Sequence, residues 1–135
     1  MGDNKGIFIG EVAPQYKESD RAKWSEATRK RVEQHESDIK AIDDAHLFRM
    51  QANSYLKEGK MELAADAFKK SYASKKYAIT GFDLVETYEK LDRYDDAIAV
   101  LDNMVKNHET NERGIQKANE IRARLLAAKN QSVQS

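Results

Sequence analysis

The sequence predicts an all-α protein, and three observations support that prediction. No glycine or proline lies between Pro14 and Gly59, a stretch rich in Glu, Lys, Arg and Ala, which are residues that favour helix. Apolar residues recur at spacings of three and four along most of the chain, as on one face of a helix. The segment SYLKEGKMELAADAF (54–68) is matched 33 positions later by TYEKLDRYDDAIAVL (87–101). A period of that length is typical of helical repeat proteins.

Length and composition exclude several classes of protein. The 135 residues suffice for one domain, and 23 Lys and Arg balance 23 Asp and Glu, so no net charge attracts the chain to nucleic acid or anionic lipid. The absence of cysteine excludes disulfides and thiolate ligands. Because no apolar run approaches the roughly 20 residues that span a bilayer, we expect no membrane insertion. The compartment stays open: cytoplasmic by default, or extracytoplasmic if a signal or anchor has been removed.

The N-terminal segment, residues 1–18, is predicted to be extended or disordered. Glycines and a proline interrupt a short apolar stretch that includes Ile7 and Val12, and such residues punctuate regular structure. We interpret this segment as a tail or tether. The alternative is that it lies extended in a groove of its own chain or of a neighbouring one.

An N-terminal helix is predicted over residues 19–44, with Ser19 or Asp20 as its cap. Its apolar side chains form one stripe that comprises Trp24, Val32, Ile39 and Ile42. The following segment, around Ala52, presents its apolar residues on the opposite side. A straight helix would then bury opposite sides at its two ends, so we expect a break or kink near Asp43. The stripe either covers the first repeat or pairs two chains, which makes it a candidate oligomer interface.

Four more helices are predicted after Gly59 from apolar spacing and turn residues. They cover about Met61 to Ser74, Tyr77 to Leu91, Tyr94 to Asn107 and Glu112 to Lys129. The last six residues, 130–135, are polar and are predicted to form a disordered tail.

Residues 45–77 and 78–111 resemble two tetratricopeptide repeats, with residues 112–129 as a capping helix. The resemblance rests on the order of small and large residues: Phe48, Ala52, Tyr55, Gly59, Ala64, Phe68 and Ser71 in the first unit, then Leu84, Tyr88, Tyr94, Ala97 and Leu101 in the second. It implies that residues 45–129 form antiparallel helix pairs stacked as a short right-handed solenoid. The second unit departs from the family pattern at Gly81, where a large residue is usual, so a looser crossing is expected there.

Catalytic chemistry has little support in the sequence. The three histidines, His35, His46 and His108, are scattered, and the chain contains no HExxH, glycine-rich phosphate loop or Gly-x-Ser-x-Gly motif. We therefore expect no enzymatic activity, no metal site and no cofactor. The basic run around Arg29 has acidic neighbours, which is typical of a solvated helix and not of a nucleic-acid site.

The resemblance implies a concave groove, lined by the first helix of each repeat, that binds a peptide or another protein. The predicted groove residues are Arg49, Asn53, Leu56, Ile79, Phe82, Glu86 and Lys90. In the family, an asparagine at the position of Asn53 often hydrogen-bonds the backbone of the ligand. Arg49 and Asn53 also match part of the family's clamp for the acidic C-terminus of chaperones, and Arg113 and Lys117 could match two further positions. Asp83 breaks that match, because an aspartate repels a carboxylate.

The sequence therefore predicts a protein-interaction scaffold whose partner is another protein or a peptide. The alternative is a self-assembly module, in which the stripe of the N-terminal helix pairs two copies as a homodimer.

Overall fold

The computed structural model describes the backbone of residues 24–134 and the side chains of residues 24–131. These residues form five α-helices and no strand, which confirms the predicted all-α class. The helices are α1 (Glu26–Lys57), α2 (Met61–Ser74), α3 (Ala78–Lys90), α4 (Tyr94–Lys106) and α5 (Glu112–Gln134). The chain divides into two compact units, residues 1–37 and 38–135, and their boundary falls within α1. The predicted N-terminal segment and the predicted caps Ser19 and Asp20 lie outside the described residues.

Helix α1 is unbroken from Glu26 to Lys57, and its predicted start at residue 19 lies outside the described residues. The Ser25 hydroxyl caps it by accepting a hydrogen bond from the Thr28 amide at 3.2 Å. Of the break or kink predicted near Asp43, the break is wrong, since α1 continues through that residue to Lys57. No glycine or proline interrupts this stretch, and Ile42 remains 42% exposed. The helix therefore does not have to bury opposite sides at its two ends.

Helices α1 and α3 end in the same backbone turn. At the end of α1 the Lys60 amide donates to the Tyr55 carbonyl, and at the end of α3 the Arg93 amide donates to the Tyr88 carbonyl, both at 2.9 Å. The residue before each of these amides has a left-handed backbone, with φ of 76° and 58°. Such 6→1 hydrogen bonds satisfy carbonyls that a helix end leaves without a partner. The 33-residue sequence repeat is thus accompanied by a repeated turn.

The core of residues 38–134 draws side chains from all five helices. Its buried cluster comprises Ala52, Ala65, Ala67, Phe68, Leu84, Val85, Tyr88, Ala97, Ile98, Leu101, Ala118 and Leu125. The alanines at 52, 97 and 118 are fully buried, and their small side chains let neighbouring helices approach closely. Between α1 and α2, the buried Ser71 hydroxyl donates to the Ala45 carbonyl at 2.7 Å.

Three pairs of consecutive helices pack against each other: α2 with α3, α3 with α4, and α4 with α5. The short links between them make these neighbours antiparallel. Two side-chain contacts show that α2 and α4 run in the same direction. Arg93, just before α4, pairs with Glu62 at the start of α2 at 2.9 Å. At the other end, Tyr72 of α2 donates a hydrogen bond to Glu109, just after α4.

Gly81 lies where α2, α3 and α4 come close together. A Cβ atom at this position would lie 3.0 Å from both the Met104 sulfur and the Tyr72 ring. These two side chains occupy the space that a large residue would otherwise fill. Neighbouring helices therefore supply the volume that Gly81 lacks, while the looser crossing stays a prediction.

Helix α5 covers α4 and runs further than predicted. The Asn111 side chain accepts a hydrogen bond from the Gly114 amide at 2.8 Å and so caps its start. Ala118 and Leu125 are fully buried. The helix ends at Gln134, not at Lys129, because the polar residues of the expected tail include no glycine or proline to stop it.

Candidate binding clefts

A cleft of about 290 Å³ lies between the second half of α1 and the start of α3, and we call it the α1–α3 cleft. Its walls are formed by Ile42, Asp43, Ala45, His46, Arg49, Tyr77 and Thr80. Ile42 and Tyr77 are each 42% exposed, so the cleft has an apolar rim. Thr80, in contrast, is almost completely buried.

A second cleft, of about 230 Å³, lies between α3 and α5, and we call it the α3–α5 cleft. Its walls are formed by Phe82, Asp83, Val85, Glu86, Glu89, Lys117, Ile121 and Arg124. The Lys117 ammonium lies 4.5 Å from the centre of the Phe82 ring, within the range of a cation–π interaction. Further along, Arg124 forms a bidentate ion pair with Glu89. These contacts show that α3 and α5 run in the same direction.

An ion pair separates the two clefts. Arg49, in the wall of the α1–α3 cleft, donates to the Asp83 carboxylate, in the wall of the α3–α5 cleft, at 2.8 Å. Both side chains are about one third exposed, at 33% and 32%. Asp83 therefore already neutralises the Arg49 guanidinium. An acidic ligand at Arg49 would compete with this internal carboxylate as well as being repelled by it.

The Arg49 side chain keeps one donor without a partner. Its Nε atom is buried and makes no hydrogen bond with the described residues, and the same holds for the Thr80 hydroxyl. Both residues lie in the wall of the α1–α3 cleft. Burying a polar atom without a hydrogen bond costs about 1 to 3 kcal/mol, so two such atoms in one cleft are an unusual feature.

The structure brings some of the predicted groove residues together and leaves others apart. Arg49, Phe82 and Glu86 lie in the walls of the clefts. Ile79 is 56% exposed, and its spacing puts it on the same side of α3 as Phe82, Asp83 and Glu86. The remaining three, Asn53, Leu56 and Lys90, line neither cleft, and Leu56 is partly buried against the core.

The predicted oligomer stripe is only partly helical. Trp24 precedes the first residue of α1 and Val32 is half-buried, whereas Ile39 and Ile42 are 40% and 42% exposed. Ile42 is also in the wall of the α1–α3 cleft. The two candidate surfaces therefore share this residue.

Sequence reasoning missed Tyr77 and Thr80 as cleft residues. Their spacing of three places them on one side of α3 at its start, a signal that could have identified them. It also missed Arg124, whose partner Glu89 is 35 positions away.

A third cleft, of about 430 Å³, was not predicted at all. It lies between α2, α3 and α4 and includes Tyr72, Lys76, Leu84, Val100 and Glu109 in its walls. Burial, together with the hydrogen bond to Glu109, raises the pKa of the Tyr72 hydroxyl above its ordinary value. The contact joins residues 37 positions apart, and no local pattern in the sequence indicates it.

Among residues 24–131, no group of three or more His, Asp and Glu side chains could hold a metal ion. None of the helices in the described part of the chain is both long enough and apolar enough to cross a membrane. Comparison with protein-family models, with curated proteins and with solved structures finds no match to this chain.

Proposed function

We propose that this chain is a tetratricopeptide-type helical scaffold that binds an extended peptide, or such a segment of a partner protein, along the surface of α1, α3 and α5. The observation that supports this best is the pair of clefts on either side of the Arg49–Asp83 ion pair. In this proposal the first helices of the two repeats and the capping helix face the ligand. No bond-making chemistry is involved.

Two features support the repeat architecture within this proposal. The turns that end α1 and α3 have the same hydrogen bonds at positions 33 residues apart. Ala64 and Ala97, also 33 apart, are both fully buried in the helices that follow those turns. A shared turn followed by a small buried residue is what stacked helix pairs require.

Exposed apolar side chains support a polypeptide as the ligand. Ile79 is 56% exposed, and Ile42 and Tyr77 are 42% exposed at the rim of the α1–α3 cleft. Exposed apolar groups that cluster beside a cleft are typical of interaction sites. The polar groups next to them, Arg49 and Glu86, are suited to the alternating side chains and backbone groups of an extended peptide.

The proposal is tested with peptides selected from a random display library on the full chain. Affinities of synthetic copies are measured by fluorescence anisotropy for the wild type, Ile79→Glu and Leu63→Glu. We expect Ile79→Glu to weaken binding about tenfold or more, because a charge replaces an apolar contact. Leu63 is a matched control: it is 46% exposed but lies on α2, which contributes no residue to either cleft, whereas Ile79 lies on α3, which contributes to both. Equal losses in both variants, or no enriched peptide, would contradict the proposal.

A self-assembly role is the second candidate, and the exposure of Ile39 and Ile42 on α1 favours it. Ile39 distinguishes the two candidates, since it lies in the stripe and in neither cleft. If assembly is the function, Ile39→Asp abolishes it, and Ile79→Glu leaves it intact.

A further inference from the structure

The α1–α3 cleft combines an apolar rim with two buried hydrogen-bonding groups that have no partner. Thr80 is 1% exposed and its hydroxyl makes no hydrogen bond with the described residues. The Nε atom of Arg49 is likewise buried and makes no hydrogen bond with the described residues, although the Arg49 side chain as a whole is one third exposed. Both atoms are shielded from solvent. Both residues line the cleft, so a ligand there reaches these atoms only by displacing the partly exposed Arg49 side chain.

The charges around the cleft indicate a neutral acceptor. Arg49 is already paired with Asp83 at 2.8 Å, and Asp43 adds a negative charge to the wall. A carboxylate would meet two aspartates and one neutralised arginine, so its desolvation would not be compensated. An amide carbonyl carries no net charge and can accept hydrogen bonds from both Nε–H and the Thr80 hydroxyl.

The apolar rim of the cleft indicates which kind of side chain the ligand carries beside that carbonyl. Ile42 and Tyr77 each present more than a third of their surface to solvent, at 42%. An aliphatic side chain that lies between them removes apolar surface on both sides from water. The cleft of about 290 Å³ is large enough to hold one such residue with its own backbone amide.

We propose that the α1–α3 cleft is the anchor subsite of this protein, and that it takes one aliphatic residue of a partner peptide together with a neutral backbone carbonyl. The proposal rests on the proposed function and specifies its ligand. The peptide carbonyl accepts hydrogen bonds from Arg49 and Thr80, and the aliphatic side chain lies between Ile42 and Tyr77. A free carboxylate at this position is disfavoured.

The test is an NMR titration of the full-length, ¹⁵N-labelled chain with three probes, each up to its solubility limit. The probes are N-acetyl-leucine methylamide, N-acetyl-glycine methylamide and N-acetyl-leucine, which has a free carboxylate. We expect saturable shifts at the amides of Tyr77 and Thr80 with the leucine methylamide. The other two probes bind more weakly, since one lacks the side chain and the other carries a charge.

Thr80→Val tests the hydrogen bond, because valine keeps the shape of threonine without its hydroxyl. We expect it to weaken binding of the leucine methylamide about fivefold, the effect of one lost hydrogen bond. Thr87→Val is the matched control on the same helix. Thr87 is also buried, but its hydroxyl already donates to the Asp83 carbonyl at 2.8 Å, so its removal leaves the affinity unchanged.

The following three results would each overturn this subsite, as would the dependence on protein concentration described below. They are the absence of saturable shifts at Tyr77 and Thr80, tighter binding of the free carboxylate, and equal effects of the two threonine variants. If display-selected peptides still bind and Ile79→Glu still weakens them, the subsite fails while the proposed function stands. If the probes shift only because a second copy of the chain dissociates from the cleft, the shifts depend on protein concentration, and that also overturns the proposal.

Discussion

At the scale of single residues, Tyr72 links the end of α2 to the turn after α4 through its hydrogen bond to Glu109. We expect Tyr72→Phe to lower the free energy of unfolding by about 1 kcal/mol at neutral pH. The pKa of Tyr72 is raised in the folded protein, whereas a tyrosine in an unfolded chain ionises near pH 10. The contribution of Tyr72 is therefore fully present below about pH 10 and is lost as the pH rises further.

Urea denaturation of both proteins from neutral pH to about pH 11 checks this prediction. The stability difference between wild type and Tyr72→Phe should narrow above about pH 10. Tyr77→Phe is the control, because Tyr77 is 42% exposed and its loss should change stability little at any pH. A difference that stays constant over the whole range would show that the Tyr72 hydroxyl does not ionise differently in the two states.

The backbone conformation of His108 supports a second prediction at the scale of single residues. Its φ is 51°, in the left-handed region that glycine adopts without steric cost and in which other residues are strained. His108→Gly should raise the free energy of unfolding by about 1 kcal/mol, because the left-handed strain it removes, roughly 1 to 2 kcal/mol, exceeds the added chain entropy of glycine. Thermal unfolding followed by circular dichroism measures it. Asn107→Gly is the control, since Asn107 has φ of −97° and gains nothing from glycine. A similar rise in both variants would mean that backbone strain is not the cause.

At the scale of helices, small residues set how closely the helices pack. Ala97 is fully buried on α4, whereas Ala99, two residues further on, is exposed. Ala97→Leu should lower the free energy of unfolding by about 1 to 3 kcal/mol, because the added methylenes have no space in the core. Ala99→Leu makes the same chemical change on the same helix and should be close to neutral. Chemical denaturation of both variants gives the comparison, and equal losses would indicate a helix-wide effect instead of a packing effect.

The helices themselves were largely predictable because their signals are local. The bounds of α2 match the prediction, and those of α3 and α4 differ by one residue at most at each end, since apolar spacing and turn residues coincide there. The break predicted near Asp43 failed for a different reason. A change of apolar face within α1 requires a break only if both faces are buried, but Ile39 and Ile42 stay 40% and 42% exposed.

The clefts were predictable only in part, because a cleft depends on more than one helix. Three residues that helical spacing assigned to the groove, Arg49, Phe82 and Glu86, line clefts, and their role in binding stays a prediction. Which residues meet across helices has no local signal. The Arg49–Asp83 pair joins positions 34 residues apart. The sequence therefore indicates that Asp83 would repel the carboxylate of an acidic ligand, but it does not indicate that Asp83 neutralises Arg49.

At the scale of the whole molecule, the charges are balanced by pairs between helices. Lys129 of α5 pairs with Asp95 of α4, and Arg122 of α5 with Asp102 of α4, each at 2.5 Å. Exposed pairs of this kind contribute about 0 to 1 kcal/mol each, so they orient α5 more than they stabilise it. They also account for several of the charges in a chain whose formal net charge is zero. Electrostatic recognition must therefore be local, as at the charged walls of the α3–α5 cleft.

The oligomeric state decides between the two candidate functions, and the exposed area allows a prediction. Ile39 and Ile42 are less than half exposed, at 40% and 42%, and charged residues flank them in the sequence. A stable dimer needs about 800 Å² from each partner, far more than these two side chains supply. We therefore expect light scattering to give the monomer mass at every dilution for the wild type and for Ile39→Asp, with unchanged peptide binding in the variant. A wild-type dimer that Ile39→Asp dissociates, with helicity retained, would instead make self-assembly through α1 the function and the clefts secondary to it.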